Sequence, residues 1–214
     1  MGKVIVIEFV SLDGVIQDPD GREGTPRGGW AFRFGPEAVA GDKFALGEIF
    51  NTGIMLLGRR TWQLFASFWP SRDDPFSLKM NAIPKLVVTR SLENVGHWQN
   101  SSLLPGDLIT EVEKRKQDQD IVITGSASVV RTLMAHDLVD EYRLLVFPLV
   151  LGEGTRVFSD GIRPADLTLV SAAPRGAAAS LVYTRNRVTA GYPSRPVICS
   201  DTAQSSSAAS GSSA

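Results

Sequence analysis

The 214-residue sequence has a single cysteine, Cys199, so no intramolecular disulfide can form, and its two histidines are too few for a zinc cage. It lacks an excess of either charge: 22 basic residues against 23 acidic ones give a formal net charge of −1. General nucleic-acid binders carry a basic patch or run, so that class is not expected. Membrane insertion is not expected either, because no apolar stretch approaches the ~18–20 residues that a spanning helix requires. The start, Met1 to Gly14, carries a short apolar run and then Glu8 and Asp13, which reads as a strand rather than a signal peptide. No Ser/His/Asp arrangement or activated-cysteine context stands out, and His97 and His136 receive no role. Chemistry without such equipment is expected to rely on a cofactor. A hydrophobic fraction of 43% and a charged fraction of 21% fit a globular chain, so a soluble, cytoplasmic α/β domain is expected.

The folded domain is expected over residues 1–188, and residues 189–214 read as a tail. From Asp201 onward the sequence DTAQSSSAASGSSA offers no strong apolar residue to offset the entropy of ordering it. Within the domain, β-branched runs alternate with helical patterns. Strands are expected at Val4–Val10, Ile54–Leu57, Lys85–Thr89, Ile121–Thr124 and Glu141–Val150, with a terminal hairpin made by Leu167–Ser171 and Leu181–Arg185. Helices are expected at Glu37–Phe50, Arg59–Ala66, Leu108–Lys116 and Ser128–Ala135. Strands separated by helices predict a mainly parallel sheet with an antiparallel edge. The Gly- and Pro-rich segment Gln17–Gly35 is longer than most connections. Its Trp30, Phe32 and Phe34 either close a lid over a site or pack on the core.

Three strand-to-turn junctions share a design that favours anions. In Ile54–Thr61 (IMLLGRRT), Gly58 ends an apolar strand and Arg59, Arg60 and Thr61 open the next helix, where free N–H groups and the positive helix end attract negative charge. Two guanidinium groups there can grip phosphate oxygens, although arginines at a helix start are as often plain surface residues. In Lys85–Ser91 (KLVVTRS) the strand delivers Thr89, Arg90 and Ser91 to its carboxyl end, where open α/β sheets hold ligands. In Ile121–Val130 (IVITGSASVV), Gly125, Ser126 and Ala127 are small enough for a diphosphate to approach the backbone. Among the carboxylates, Glu8 lies inside the apolar run VIVIEFV, so it either has a partner, points into a cleft, or faces outward on a half-exposed strand. Asp13 beside Gly14 reads as a turn former.

The segments Ser11–Gln17 (SLDGVIQ), Leu56–Trp62 (LLGRRTW), Asn81–Arg90 (NAIPKLVVTR), Thr124–Val130 (TGSASVV) and Asp137–Gly154 (DLVDEYRLLVFPLVLGEG) resemble, in order and spacing, the dihydrofolate-reductase-like superfamily. The likeness runs from about residue 3 to residue 185 and is to the riboflavin-biosynthesis reductase branch and its stand-alone members. That resemblance implies a mixed, mainly parallel sheet flanked by helices, with NADPH bound at its carboxyl edge. It implies that Gly58, Arg59, Arg60 and Thr61 meet the 2′-phosphate and diphosphate, that Thr89, Arg90 and Ser91 hold the adenosine phosphate, and that Gly125 to Ser128 (with Ser126 and Ala127) cradle the diphosphate. Val10, Ser11 and Ile16 would line the nicotinamide pocket.

The implied reaction resembles that of 5-amino-6-(5-phosphoribosylamino)uracil reductase: hydride transfer to a carbonyl or imine of a small heterocyclic or sugar-derived substrate. Asp42 or Glu8 would supply the proton, no metal is implied, and a homodimer is expected. Two alternatives belong beside this reading: dihydrofolate reduction, and a nucleotide-binding module without catalysis. The sequence departs from true folate enzymes in three ways. Leu144 stands where they place a threonine, Gly125–Ser126 replaces paired glycines, and the 17–35 loop is longer.

Overall fold

In the computed structural model, residues 1–186 are described, and the whole of the expected tail (189–214), Cys199 included, lies outside them. The run VIVIEFVS forms β1 (Val4–Ser11), whose residues are almost all buried, as expected for a central strand covered on both faces. Following it are a short helix α1 (Ile49–Thr52), β2 (Ile54–Gly58), α2 (Arg59–Ala66), α3 (Pro75–Ala82), β3 (Lys85–Val88) and β4 (Ser101–Leu103). The chain continues through α4 (Leu108–Arg115), β5 (Ile121–Thr124), α5 (Ala127–Ala135), β6 (Glu141–Phe147), β7 (Leu167–Arg175) and β8 (Ala178–Arg185). These strands make one sheet in the order β4-β3-β2-β5-β1-β6-β8-β7. From β4 to β6 all pairings are parallel, whereas β8 runs antiparallel to β6 and to β7.

Alternation along the strands divides the core in two. Ile5, Ile7, Met55, Leu57, Val87 and Val122 pack on one face with Trp62 of α2 and Met80 of α3. Val4, Val6, Leu56, Leu86, Ile121 and Ile123 pack on the other with Val112 of α4 and Val129, Val130 and Leu133 of α5. The neighbouring strands β2 and β5 therefore send their following helices to opposite faces. A crevice opens at the carboxyl end of a sheet where connections part in this way.

The expected helix Glu37–Phe50 does not form. A 3₁₀ turn occupies Pro36–Ala38, irregular turns follow, and only Ile49–Thr52 is helical. Gly41, Ala45 and Gly47 all have positive φ, and the Asp42 carboxylate accepts the N–H groups of Leu46 and Gly47, both at 2.8 Å. A side chain that captures nearby backbone donors competes with the helical ladder. The apolar positions are still used, since Phe44, Leu46 and Phe50 are buried. β6 stops at Phe147 because Pro148 has no N–H to continue a ladder, shorter than the expected 141–150. The terminal hairpin is longer than expected, and α3 and β4 are additional elements.

Candidate active site

Strand register aligns the carboxyl ends. Ile7 pairs with Thr124 and Gly58 with Val88, so Glu8, Gly58, Thr89 and Gly125 fall along one edge of the sheet. The turns after β2 and β5 touch there. A Cβ on Gly58 would lie 2.1 Å from Ser126 Oγ, and one on Gly125 would lie 3.0 Å from Thr61 Oγ1, so both positions require glycine's bareness. Across this seam the Thr61 and Ser126 hydroxyls are hydrogen bonded at 2.9 Å. Gly125 and Ser126 both adopt the left-handed conformation, with φ of +69° and +64°, which costs a non-glycine residue roughly 1–2 kcal/mol. The starts of α2 and α5 are thereby set side by side, each with unsatisfied N–H groups and a positive end.

Both helix starts open on a single cleft of about 1840 Å³. It takes in Gly58, Arg59, Arg60, Thr61, Thr89, Arg90, Ser91, Gly125, Ser126, Ala127 and Ser128, so the three anion-friendly junctions share one groove. Arg59 and Arg90 are exposed and form no ion pair among the described residues. Arg60 is also exposed and attracts Glu23 from the 17–35 loop. Ile16 lines the cleft as well. Val10 and Ser11 are not part of its lining. Val10 is buried on the α5 face, and the Ser11 hydroxyl is occupied in a turn, donating to Asp13 at 2.7 Å and accepting the Val15 N–H at 2.9 Å.

Glu8 lies on the floor of the cleft and is 6% exposed, so the outward-facing alternative is excluded. Its Oε1 accepts the Gly125 N–H at 2.9 Å, and Oε2 makes no hydrogen bond among the described residues. Burial raises its pKa to about 8, only partly offset by that N–H, so at neutral pH it is a carboxylic acid. Asp42 also reaches the cleft, but both of its oxygens are held by the Leu46 and Gly47 amides. Its neighbour Lys43 was not among the residues the sequence singled out, since a lone lysine carries no motif. In the structure it reaches the cleft lining and sits 4.7 Å from the centre of the Phe76 ring and 5.3 Å from that of Phe9. Burial lowers its pKa to about 8, against the attraction of Asp42.

The 17–35 loop contributes to the cleft lining and is held by its own contacts. Asp18 is fully buried and accepts the N–H groups of Glu23 and Thr25 at 2.9 and 2.8 Å. The Trp30 indole donates to Gln17 O at 2.8 Å, and its ring meets Phe147 edge-on. Trp30 and Phe34 thus pack on the core, whereas Phe32 lines the cleft. Arg22 lies 4.3 Å over the Phe68 ring, tying the loop to the far wall.

These contacts bear on whether a pyridine dinucleotide suits the site. Adjacent helix starts, unpaired guanidinium groups and a neutral carboxyl beside Gly125 form a donor set that fits a diphosphate with a further phosphate. A carboxylate at Glu8 would repel the same group.

Comparison with known proteins places the chain further. The family model described as the RibD C-terminal domain matches residues 2–179. The uncharacterized protein YwjB of Bacillus subtilis is 33% identical over 188 residues, covering 86% of this chain and 98% of that one. YyaP of the same organism, also described as uncharacterized, is 31% identical over 125 residues, which is 55% of this chain and 65% of YyaP, just under two thirds of its length. Among solved structures, a putative riboflavin biosynthesis protein from a Shewanella species matches with a TM-score of 0.68 at 22% identity, covering 87% of this chain and 100% of that one. At that identity the match speaks for the fold. A match over nearly the whole described chain, on a mainly parallel sheet with its antiparallel terminal hairpin, makes this protein a member of the RibD C-terminal domain family.

Proposed function

We propose that this protein is an NADPH-dependent reductase acting on a carbonyl or imine of a small molecule. One observation carries the proposal: three strand ends bearing Gly58–Thr61, Thr89–Ser91 and Gly125–Ser128 face one groove, with Arg59 and Arg90 left without anionic partners among the described residues. Three clustered guanidinium groups favour NADPH over NADH, because the 2′-phosphate adds a dianion that they can grip.

When bound, NADPH supplies a hydride to the electrophilic carbon and leaves as NADP⁺, while the oxygen or nitrogen of the reduced bond takes up a proton. The chain's own residues position the reactants and hold that proton. Glu8 keeps Oε1 on the Gly125 N–H and carries its proton on Oε2, toward the cleft. With its pKa near 8 it stays protonated and uncharged at neutral pH and can release that proton within the site. Asp42 is the less suitable donor because its oxygens are engaged by two amides. Leu144 in place of a threonine disfavours folate reduction.

Fluorescence titration tests the reading. NADPH is expected to bind at least roughly tenfold tighter than NADH, and Arg59→Ala with Arg60→Ala to remove that preference. Equal affinities for the two nucleotides in the unaltered protein would refute the phosphate assignment. Replacing Glu8 by Gln is expected to lower kcat with NADPH affinity unchanged, and to abolish the fall in rate above about pH 8.

A further inference from the structure

The groove extends beyond the phosphate-binding edge. At about 1840 Å³ it exceeds the roughly 300–1,000 Å³ that suffices for one drug-sized ligand, so it has room for a second molecule. Its far half lies on the α2 and α3 face of the sheet and is walled by Phe9, Phe44, Phe65, Phe68, Trp69 and Phe76. Phe65 and Phe76 each meet Trp69 edge-on, with centroids 6.2 and 5.7 Å away. This chamber offers stacking surface and few hydrogen-bonding groups for a sugar or a phosphate.

Three cations meet these rings: Arg22 over Phe68 and Arg72 over Trp69 are paired with Asp20 and Asp74, and Lys43 stands among the others. The Lys43 ammonium contacts the rings of Phe9, Phe44 and Phe76 and forms no hydrogen bond or ion pair among the described residues. Its backbone is fixed from three sides. Arg175 donates to Asp42 O at 3.0 Å, Arg143 donates to Phe44 O at 3.0 Å and to Ala45 O at 2.6 Å, and the Asp42 side chain closes the turn after it. A preset cation on an aromatic wall is arranged to meet an anionic oxygen on a flat apolar body. Trp69 adds a buried indole N–H that has no acceptor among the described residues.

We infer that the second ligand is a planar aromatic compound carrying a carboxylate or an acidic hydroxyl, its ring against the phenylalanine wall and its anionic oxygen on Lys43. This substrate class rests on the reductase reading, but the chamber can be probed without turnover. Calorimetry on the full chain with 2-naphthoate, 2-naphthalenemethanol and ribose 5-phosphate separates the possibilities. The carboxylate is expected to bind roughly tenfold tighter than the alcohol, and Lys43→Met to bring the two together while NADPH affinity stays unchanged. NADPH and ribose 5-phosphate are expected not to displace 2-naphthoate.

Equal binding of acid and alcohol by the unaltered protein would overturn the inference, and that comparison decides the matter even if Lys43→Met does not fold. Displacement of 2-naphthoate by NADPH would overturn it too, by locating the acid at the arginines, as would displacement by ribose 5-phosphate. Binding of 2-naphthoate with the expected preference but no binding of NADPH would uphold the chamber and refute the reductase.

Discussion

Glu8 is an acid in a place where its conjugate base is costly. Its folded pKa, about 8, lies above the ordinary 4.5, so the native state holds a proton that the unfolded chain has released across that interval. Stability therefore falls as pH rises through the window and levels off above about pH 8. Glu8→Gln keeps an acceptor for the Gly125 N–H and removes the charge. Thermal melts are expected to show the two proteins alike near pH 5 and the wild type several degrees less stable near pH 9, because each pKa unit is worth about 1.4 kcal/mol. Parallel melting curves across that range would show that the carboxyl is hydrated in solution. Sequence alone flagged Glu8 because a charge in an apolar run needs an explanation. It could not say which face the residue takes or that Gly125 would be its partner, since that contact spans 117 positions.

The two turns that meet at Gly58 and Ser126 act as one element. Gly58→Ala places a methyl group 2.5 Å from Ser126 Cβ, so α2 and α5 must part. Overpacking of this kind costs about 1–3 kcal/mol, and it is expected to weaken NADPH binding more than roughly tenfold while leaving the sheet's circular-dichroism signal intact. The 17–35 loop offers the opposite test. Glu23 draws Arg60 toward itself, and Glu23→Gln is expected to tighten NADPH by a few-fold, in line with the roughly 0.2–1 kcal/mol of a solvent-accessible pair.

Elements whose signal lies within a few residues were readable in advance. β1, β2, β3 and β5 are short apolar runs bounded by glycine or polar turns, and the register then brought their ends together. Segment 37–50 misled because Leu46, Ile49 and Phe50 have helical spacing, with Val39 and Phe44 as further apolar positions, while Asp42 and the glycines write a different backbone. The helix α3 escaped notice for the converse reason. Its cap is orthodox, with Asp74 accepting the Ser77 N–H and Pro75 in the first turn. Yet Ser77 and Asn81 are buried and Leu78 is exposed, so no apolar stripe announces it.

At the scale of the whole molecule, ligand linkage offers the broadest check. A nucleotide that binds only the native state at a concentration 100 times its Kd stabilises by about 2.7 kcal/mol, which for a domain of this size raises Tm by roughly 5–10 °C. NADPH is expected to produce that shift and NADH, at the same concentration, a distinctly smaller one. An equal response to both would count against the arginine assignment, and none to either against the dinucleotide altogether.

Because β2 and β5 dispatch their helices to opposite sides, the groove's two halves come from different stretches of polypeptide. One half is written at Gly58–Thr61, Thr89–Ser91 and Gly125–Ser128, the other at Phe9, Phe44 and the stretch from Phe65 to Phe76. Mutation can remodel the second without disturbing the first. If the reductase proposal holds, a lineage built on this scaffold is free to exchange what it reduces while conserving its source of electrons, and an engineer seeking new selectivity should randomise the phenylalanine wall and leave the glycine seam alone.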